Sequence, residues 1–421
     1  MGHSRSFKCI AFLLVALHQT SGFWLFNVIF PPTAKPRVVN NSTPPLIIVP
    51  GNLGNRLEAK IDKPTLVHWM CYKKTEDWFP LWIDLNMFMP IGIDCWIDNI
   101  STQFFYFCLS YVRKFTEQPY IGMPWQLHSN TLATIHTVFF LCPTNNYVNV
   151  SVWYHVDEQE EYFSRLKNLV EEMHDEYKQP VYLLGHSMGN NYILYFLNQQ
   201  TQHWKDHYIK SFISLGAPWG GAVKPLRVLA SGENDGIPFV SNIKIREEQR
   251  MTTTNPWMIP SEEAWPKDHT FISTPFFNYT NQDYQQFFKD INFEDGWYMW
   301  EDTRNLTAGL PAPGVEVYCL YGVGLPTPVT YVYDEQFPNT DPIDIIYDDG
   351  DDTVGSRSMS LCKRWIGKQE QAVHVTEFRG MAHLDMVFNH KVLTAVQRIL
   401  EGKYHEKTDD SSEEPPSLLP P

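Results

Sequence analysis

Apolar and polar positions follow two periods along this chain, and the two alternate. Leu46-Ile47-Ile48-Val49 is wholly apolar and stops at Pro50-Gly51, as a strand buried on both faces would. Between Glu158 and Tyr177 the apolar positions Phe163, Leu166, Val170, Met173 and Tyr177 step by 3, 4, 3 and 4, which is one face of an amphipathic helix. Val181–Leu184 reads as another buried strand, with a helix over Met188–Asn198 behind it. Phe212–Leu215, Val315–Tyr321, Ile343–Tyr347 and Val373–Phe378 read as further strands. Strand–helix alternation of this kind predicts an α/β fold with a mostly parallel sheet and helices on both faces. No internal repeat interrupts it.

The two ends have other patterns. Met1–Lys8 carries His3, Arg5 and Lys8 and no acid, Cys9–Leu17 is apolar, and Thr20 and Gly22 precede Phe23 at the −3 and −1 positions of a cleavage site. Residues 1–22 therefore read as a secretory signal peptide, too short in its apolar part to span a bilayer. A secreted, extracellular protein is expected. Six sequons start at Asn40, Asn41, Asn99, Asn149, Asn278 and Asn305, and Asn41, Asn278 and Asn305 are taken as the glycosylation sites. The acidic, proline-rich tail over 405–421 cannot build a core and is expected to be disordered.

Composition narrows the function. Lys and Arg number 33 against 48 Asp and Glu, a net charge of −15, which argues against nucleic acid and against membrane binding by bulk charge. Aromatic residues are 14% of the chain, enough to suggest contact with lipid or another apolar ligand through side chains. Outside the signal there are six cysteines, at 71, 95, 108, 142, 319 and 362. In an oxidising compartment they permit 15 pairings, among which spacing does not choose.

The chemistry centres on Gly185-His186-Ser187-Met188-Gly189. A strand enters this Gly-x-Ser-x-Gly pentapeptide and a helix leaves it, the context of the nucleophile elbow of α/β-hydrolases. The turn lifts the serine oxygen above the sheet edge, and a Cβ at either glycine would meet backbone there. Ser187 needs a base, and the base needs an acid to orient it, in the chain order serine, acid, histidine. His383 follows the strand at Val373 and is the best-placed base. The acid is one of Asp348, Asp349, Asp351 and Asp352, after the strand at Ile343. The same acidic loop lacks the alternating ligands and terminal Glu of a calcium-binding loop, and no metal or cofactor is expected. The oxyanion donors are placed at the N–H groups of Met188 and of Asn52, in the turn after the first strand.

Long segments then match a known pattern. Phe23–Pro32, Val49–Lys60, Trp69–Asp77, Asp94–Asp98, Leu215-Gly-Ala-Pro-Trp-Gly-Gly221 and Val315–Pro328 resemble the lecithin–cholesterol acyltransferase family, which includes the lysosomal phospholipase A2. The likeness covers about 23–100 and 158–404. It implies an α/β-hydrolase domain over 23–404, with cap and membrane-binding subdomains and a triad of Ser187, Asp351 and His383. It also implies the bridges Cys71–Cys95 and Cys319–Cys362, a membrane-binding loop over 71–95 containing Trp82, and a mobile lid over 231–254. The activity it implies moves the sn-2 acyl chain of phosphatidylcholine to cholesterol, with phospholipase A2 as a side activity. The setting it implies is high-density lipoprotein with apolipoprotein A-I as activator.

The chain departs from the family twice. Asn52 and Asn190 stand where some members carry free cysteines, so sensitivity to thiol reagents should fall while catalysis survives. Residues 101–155 lack the family's glycine-rich and Tyr-Asp-Trp-Arg motifs. Ser101–Val150 holds Arg113, Lys114 and Glu117 as its only Asp, Glu, Lys or Arg and Gly122 as its only glycine, and reads as translated intron or a mis-spliced segment. Two other functions fit less well: the lysosomal ceramide transacylase, and an inactive lipid-binding protein on the hydrolase fold.

Overall fold

The computed structural model describes residues 44–52, 54, 56–59, 66–77, 79–82, 92–99, 135–138, 147–149, 156–237 and 240–405. The expected signal peptide, Asn41, most of 101–155, Cys108, Cys142 and the tail beyond His405 lie outside them. Six strands form a wholly parallel sheet in the order β13-β10-β7-β6-β1-β5. They are β1 (Leu46–Val49), β5 (Tyr147–Asn149), β6 (Val181–His186), β7 (Ile209–Leu215), β10 (Val317–Val323) and β13 (Val373–Arg379). The 101–155 segment thus supplies an edge strand beside β1.

Successive residues of each strand face opposite sides, and both sides are covered. Ile47, Val49, Leu183, Phe212 and Val317 pack with Leu166, Val170, Met173 and Tyr177 of helix α1 (Val156–Tyr177) and with Ile193 and Phe196 of α2 (Gly189–Asn198). Leu46, Tyr182, Leu184, Ile213 and Leu320 pack with Val392, Val396 and Ile399 of the last helix (His390–Leu400). The apolar spacing of 163–177 is therefore read correctly as a buried face. The strand expected at Val315 begins two residues later, because Gly314, at φ +69°, still belongs to the turn. This arrangement is the α/β-hydrolase fold.

Two smaller sheets sit beside the main one. One has the order β3-β2-β4, from Phe79–Trp82, Arg56–Ala59 and Ile135–Val138. The other has the order β12-β11-β8-β9, from Asp344–Gly350, Leu325–Val332, Ile272–Ser273 and Asn278–Tyr279. The second covers its own aromatic core, including Phe271, Phe287, Phe288 and Tyr331. Disulfides join Cys71 to Cys95 and Cys319 to Cys362. Asn278 and Asn305 are exposed, whereas Asn99 is buried. Among the described residues no helix is long and apolar enough to cross a membrane.

The segment over 231–254 is tied down by its cations. Its helix, Asn242–Gln249, is capped by the Ser241 hydroxyl, which accepts from the Lys244 N–H. Arg246 donates to the carbonyls of Ala230 and Pro338, and Arg250 to those of Leu229, Ala230 and Ile291. Lys244 pairs with Asp94, on the helix over 92–99, at 2.9 Å. Glu248 on the same helix is buried, and burial pushes its carboxyl from 4.5 up to about 7. Between those values the folded state binds more protons than the unfolded one, so this group lowers stability as pH rises through the window. Glu248→Gln should raise the melting temperature above pH 7, with the gain shrinking toward pH 4.5. A gain that does not change with pH in thermal unfolding would contradict this reading.

Candidate active site

All strands of the main sheet are parallel, so the turns at their C-terminal ends share one edge. β6 ends at His186 and α2 begins at Gly189, and Ser187 between them is held at φ +51°. A non-glycine residue in that region is strained and must be held by its surroundings. The Ser187 N–H donates to Leu215 O at 2.9 Å, on the neighbouring strand. A Cβ on Gly189 would lie 2.2 Å from Val49 O, so α2 starts directly against the end of β1. A Cβ on Gly51 would lie 2.7 Å from the Ser187 Cβ, which sets the turn carrying Asn52 against the elbow. Met188 is buried as the N-cap residue of α2.

His383 follows β13 at one end of the main sheet, and Asp351 follows β12 of the four-stranded sheet. The His383 Nε2 lies 2.8 Å from Ser187 Oγ and its Nδ1 lies 2.7 Å from Asp351 Oδ2. An ionised carboxylate only accepts, so Nδ1 carries the hydrogen and Nε2 presents a lone pair to the serine hydroxyl. Asp351 is 0% exposed. Its Oδ1 accepts from the N–H groups of Val354 at 2.7 Å and Thr353 at 3.1 Å, which leaves Oδ2 for the histidine. The His383 N–H donates back to Asp351 O at 2.8 Å, joining the two loops by their main chains as well. Gly216, at φ +56°, passes so close that a Cβ there would lie 3.3 Å from His383 Nδ1.

Of the four aspartates in the acidic loop, only Asp351 meets His383. Asp348 pairs with Arg357 at 3.4 Å, Asp349 accepts from the Gly324 N–H at 2.7 Å, and Asp352 accepts from the Thr353 hydroxyl at 2.8 Å. The structure also gives Asn190 a task that its place in the sequence does not suggest. This side chain is fully buried, and its Nδ2 donates to Ser187 O at 2.9 Å and to Leu215 O at 3.0 Å. It clamps the strained elbow to the adjacent strand. A helix residue three positions past the pentapeptide centre carries no sequence signal for such a clamp. Trp82 ends β3, and its side chain lies outside the described residues.

This arrangement can draw a proton from Ser187 through His383 while Asp351 holds the imidazole in one tautomer. Asp351→Asn should lower turnover of a soluble ester by about 10⁴-fold, the cost of the wrong tautomer. Asp349→Asn should leave most activity, and loss of activity in that variant alone would move the acid elsewhere. Asn190→Ala should lower stability by about 1–3 kcal/mol, because the carbonyls of Ser187 and Leu215 each lose a side-chain donor and keep only a main-chain one. Chemical unfolding checks it.

A family of proteins matches this frame. The model of the lecithin:cholesterol acyltransferase family matches residues 151–390. The chain is 57% identical over 411 residues to the phosphatidylcholine-sterol acyltransferase of Gallus gallus, covering 93% of this chain and 98% of that one. It is 53% identical over 423 residues to the Homo sapiens protein of that name, covering 96% of each. Its identity to the lysosomal phospholipase A and acyltransferase of Homo sapiens is 41% over 396 residues, covering 88% of this chain and 93% of that one. By its sequence likeness and by the elbow that β6 and α2 form on the parallel sheet, the chain belongs to the lecithin:cholesterol acyltransferase family.

Proposed function

We propose that this chain is a secreted phosphatidylcholine–sterol acyltransferase acting on lipoprotein surfaces, with Ser187, His383 and Asp351 as its catalytic residues. The observation that carries the chemistry is the continuous hydrogen-bonded series from Asp351 Oδ2 through His383 to Ser187 Oγ. The higher identity to the sterol enzymes than to the lysosomal ones favours a sterol as acceptor.

The reaction has two halves. Ser187 Oγ attacks the sn-2 ester carbonyl as its proton passes to His383 Nε2. The N–H groups of Asn52 and Met188 take the developing oxyanion, and the positive end of α2 favours the same charge. The ester C–O bond then breaks, the proton goes to the departing lysophospholipid oxygen, and the acyl chain stays on Ser187. Cholesterol enters, His383 takes its hydroxyl proton as the sterol oxygen attacks the acyl carbonyl, and the acyl–Oγ bond breaks with Ser187 Oγ regaining that proton from His383. When water takes the sterol's place, the product is a free fatty acid, the phospholipase A2 side reaction.

A chain with net charge −15 meets lipid best through apolar side chains. Around Cys71, where the Cys71–Cys95 bridge begins, Trp69 is 82% exposed, and Val67, Met70 and Tyr72 are exposed near it. Leu384 and Phe388, just past His383, are exposed as well, so apolar surface also lies next to the base. The loop over 71–95, with Trp82 at the end of β3, is the membrane-binding element in this reading. The segment over 231–254 is the lid. Its ion pair from Lys244 to Asp94 links it to the helix that carries Cys95. High-density lipoprotein with apolipoprotein A-I as activator is the proposed setting.

Vesicles of sn-2-labelled phosphatidylcholine with cholesterol or ceramide test the acceptor. Label should appear in cholesteryl ester at neutral pH. Preferential acylation of ceramide at acid pH would replace this reading with the lysosomal one. Trp69→Ser should weaken vesicle binding and slow turnover on vesicles, since buried apolar area contributes about 25 cal/mol per Å². Hydrolysis of a small soluble ester should be little changed. Equal losses on both substrates would make Trp69 a folding residue instead.

A further inference from the structure

The pentapeptide holds a second histidine that the reaction above does not use. His186 is the last residue of β6, and only 9% of it is exposed. Its Nε2 lies 3.1 Å from the main-chain carbonyl oxygen of His383, and the two rings are 5.0 Å apart. A carbonyl oxygen only accepts, so Nε2 carries the hydrogen and donates it. On its other side the ring faces the turn after β1, where a Cβ on Gly51 would lie 3.4 Å from Nδ1. One imidazole therefore touches the nucleophile's strand, the base's loop and the turn that carries Asn52.

We infer that His186 is a positioning residue that sets the approach of His383 to Ser187, by bonding the residue before the nucleophile to the main chain of the base. The inference rests on the reading of Ser187 and His383 as nucleophile and base. It does not depend on which acceptor takes the acyl chain.

Two other bonds hold the base loop. The Gly380 N–H donates to Val323 O at 2.7 Å and the His383 N–H donates to Asp351 O at 2.8 Å. Both tie the loop to β10 and to the acid, on the far side of the site from Ser187. The His186 bond ties it to β6, on the serine's side. The contact between Ser187 and His383 cannot perform this task itself, because it must break and re-form as the proton moves. The His186 bond carries no transferred proton and persists through both halves of the reaction.

The ring must also stay uncharged. Burial, and next His383 beside it, push the His186 imidazole down to about 3. Asp351 and the bond to the His383 carbonyl act in the opposite direction without overcoming burial. His186 is thus a neutral donor at neutral pH. A charged His186 would face imidazolium against imidazolium when His383 accepts the serine proton, and acylation would be opposed. A neutral ring committed to a carbonyl supplies rigidity without that repulsion.

Three variants test the inference. In His186→Gln the amide N–H reaches about as far as Nε2 and can still meet the carbonyl. In His186→Asn the amide ends near the Nδ1 position and falls short, and His186→Leu fills the space with no donor. The readouts are the rate of active-serine labelling by a fluorophosphonate, kcat and KM for a soluble ester across pH, and the melting temperature. Ser187→Ala serves as the blank, and activity in that variant would refute the nucleophile rather than the positioning role. Leu and Asn should lower kcat by about 10–100-fold, the scale of a small misplacement of reacting groups, with KM little changed. The acid limb of the profile should keep its position, because Asp351 still holds His383 Nδ1. Gln should restore most of kcat. A Gln variant as slow as Leu and Asn, or Leu and Asn variants as fast as the parent, would overturn the proposal. If Leu does not fold, the Asn and Gln pair makes the same comparison.

Discussion

A buried carboxylate is the constraint on which the site depends. Asp351 has no exposed surface, so its charge must be matched within the fold or the structure loses several kcal/mol. The match comes from two main-chain N–H groups of its own turn and from the His383 ring. Both turn donors lie within three residues of Asp351 and form as the loop closes. The third partner lies 32 residues on, so satisfying the charge brings the end of β13 to the end of β12. His383 is thereby delivered to the sheet edge where β6 presents Ser187.

The elbow is the opposing half of the same problem. Ser187 is held in a left-handed conformation that an L-residue adopts at a cost. Its stabilisation is spread over several neighbours. Leu215 takes its N–H, Asn190 holds its carbonyl, and the end of β1 blocks any side chain at Gly189. Each of these belongs to a different element, so the strained turn exists only once β1, β6, β7 and α2 have packed together. Reactivity is tied to completion of the core, and a partly folded chain does not carry the assembled site.

Much of this was legible in the sequence because it is local. The apolar run at Leu46, the spacing from Phe163 to Tyr177, and the pentapeptide between a strand and a helix each encode their own geometry. Chain order and the strand at Val373 pointed to His383. Four neighbouring aspartates could not be separated that way, since all share one turn and differ only in direction. Resemblance to the family singled out Asp351, and it is the one that meets His383. The tasks of Asn190 and His186 were hidden for the opposite reason. Their partners, Leu215 and His383, lie 25 and 197 residues away, and no period or motif records such contacts. The exposure of Trp69 carries no sequence signal, since a tryptophan near a cysteine reads as core as readily as surface.

The proposed work on lipid has to suit an acidic surface. Charge supplies no attraction, so the proposal assigns the contact to the exposed apolar side chains around Cys71 and those next to His383. In the proposed function, acyl transfer rather than simple hydrolysis requires that the acyl chain wait on Ser187 for a second lipid. That covalent pause is the centre of the account, and intact-protein mass spectrometry can observe it. After brief exposure to phosphatidylcholine without sterol, the protein should gain the mass of one sn-2 acyl chain. Peptide mapping should place that chain on Ser187, and added cholesterol should discharge it as cholesteryl ester. An acyl chain on any other residue, or steryl ester formed with no acylated protein under conditions that trap the intermediate, would contradict the account.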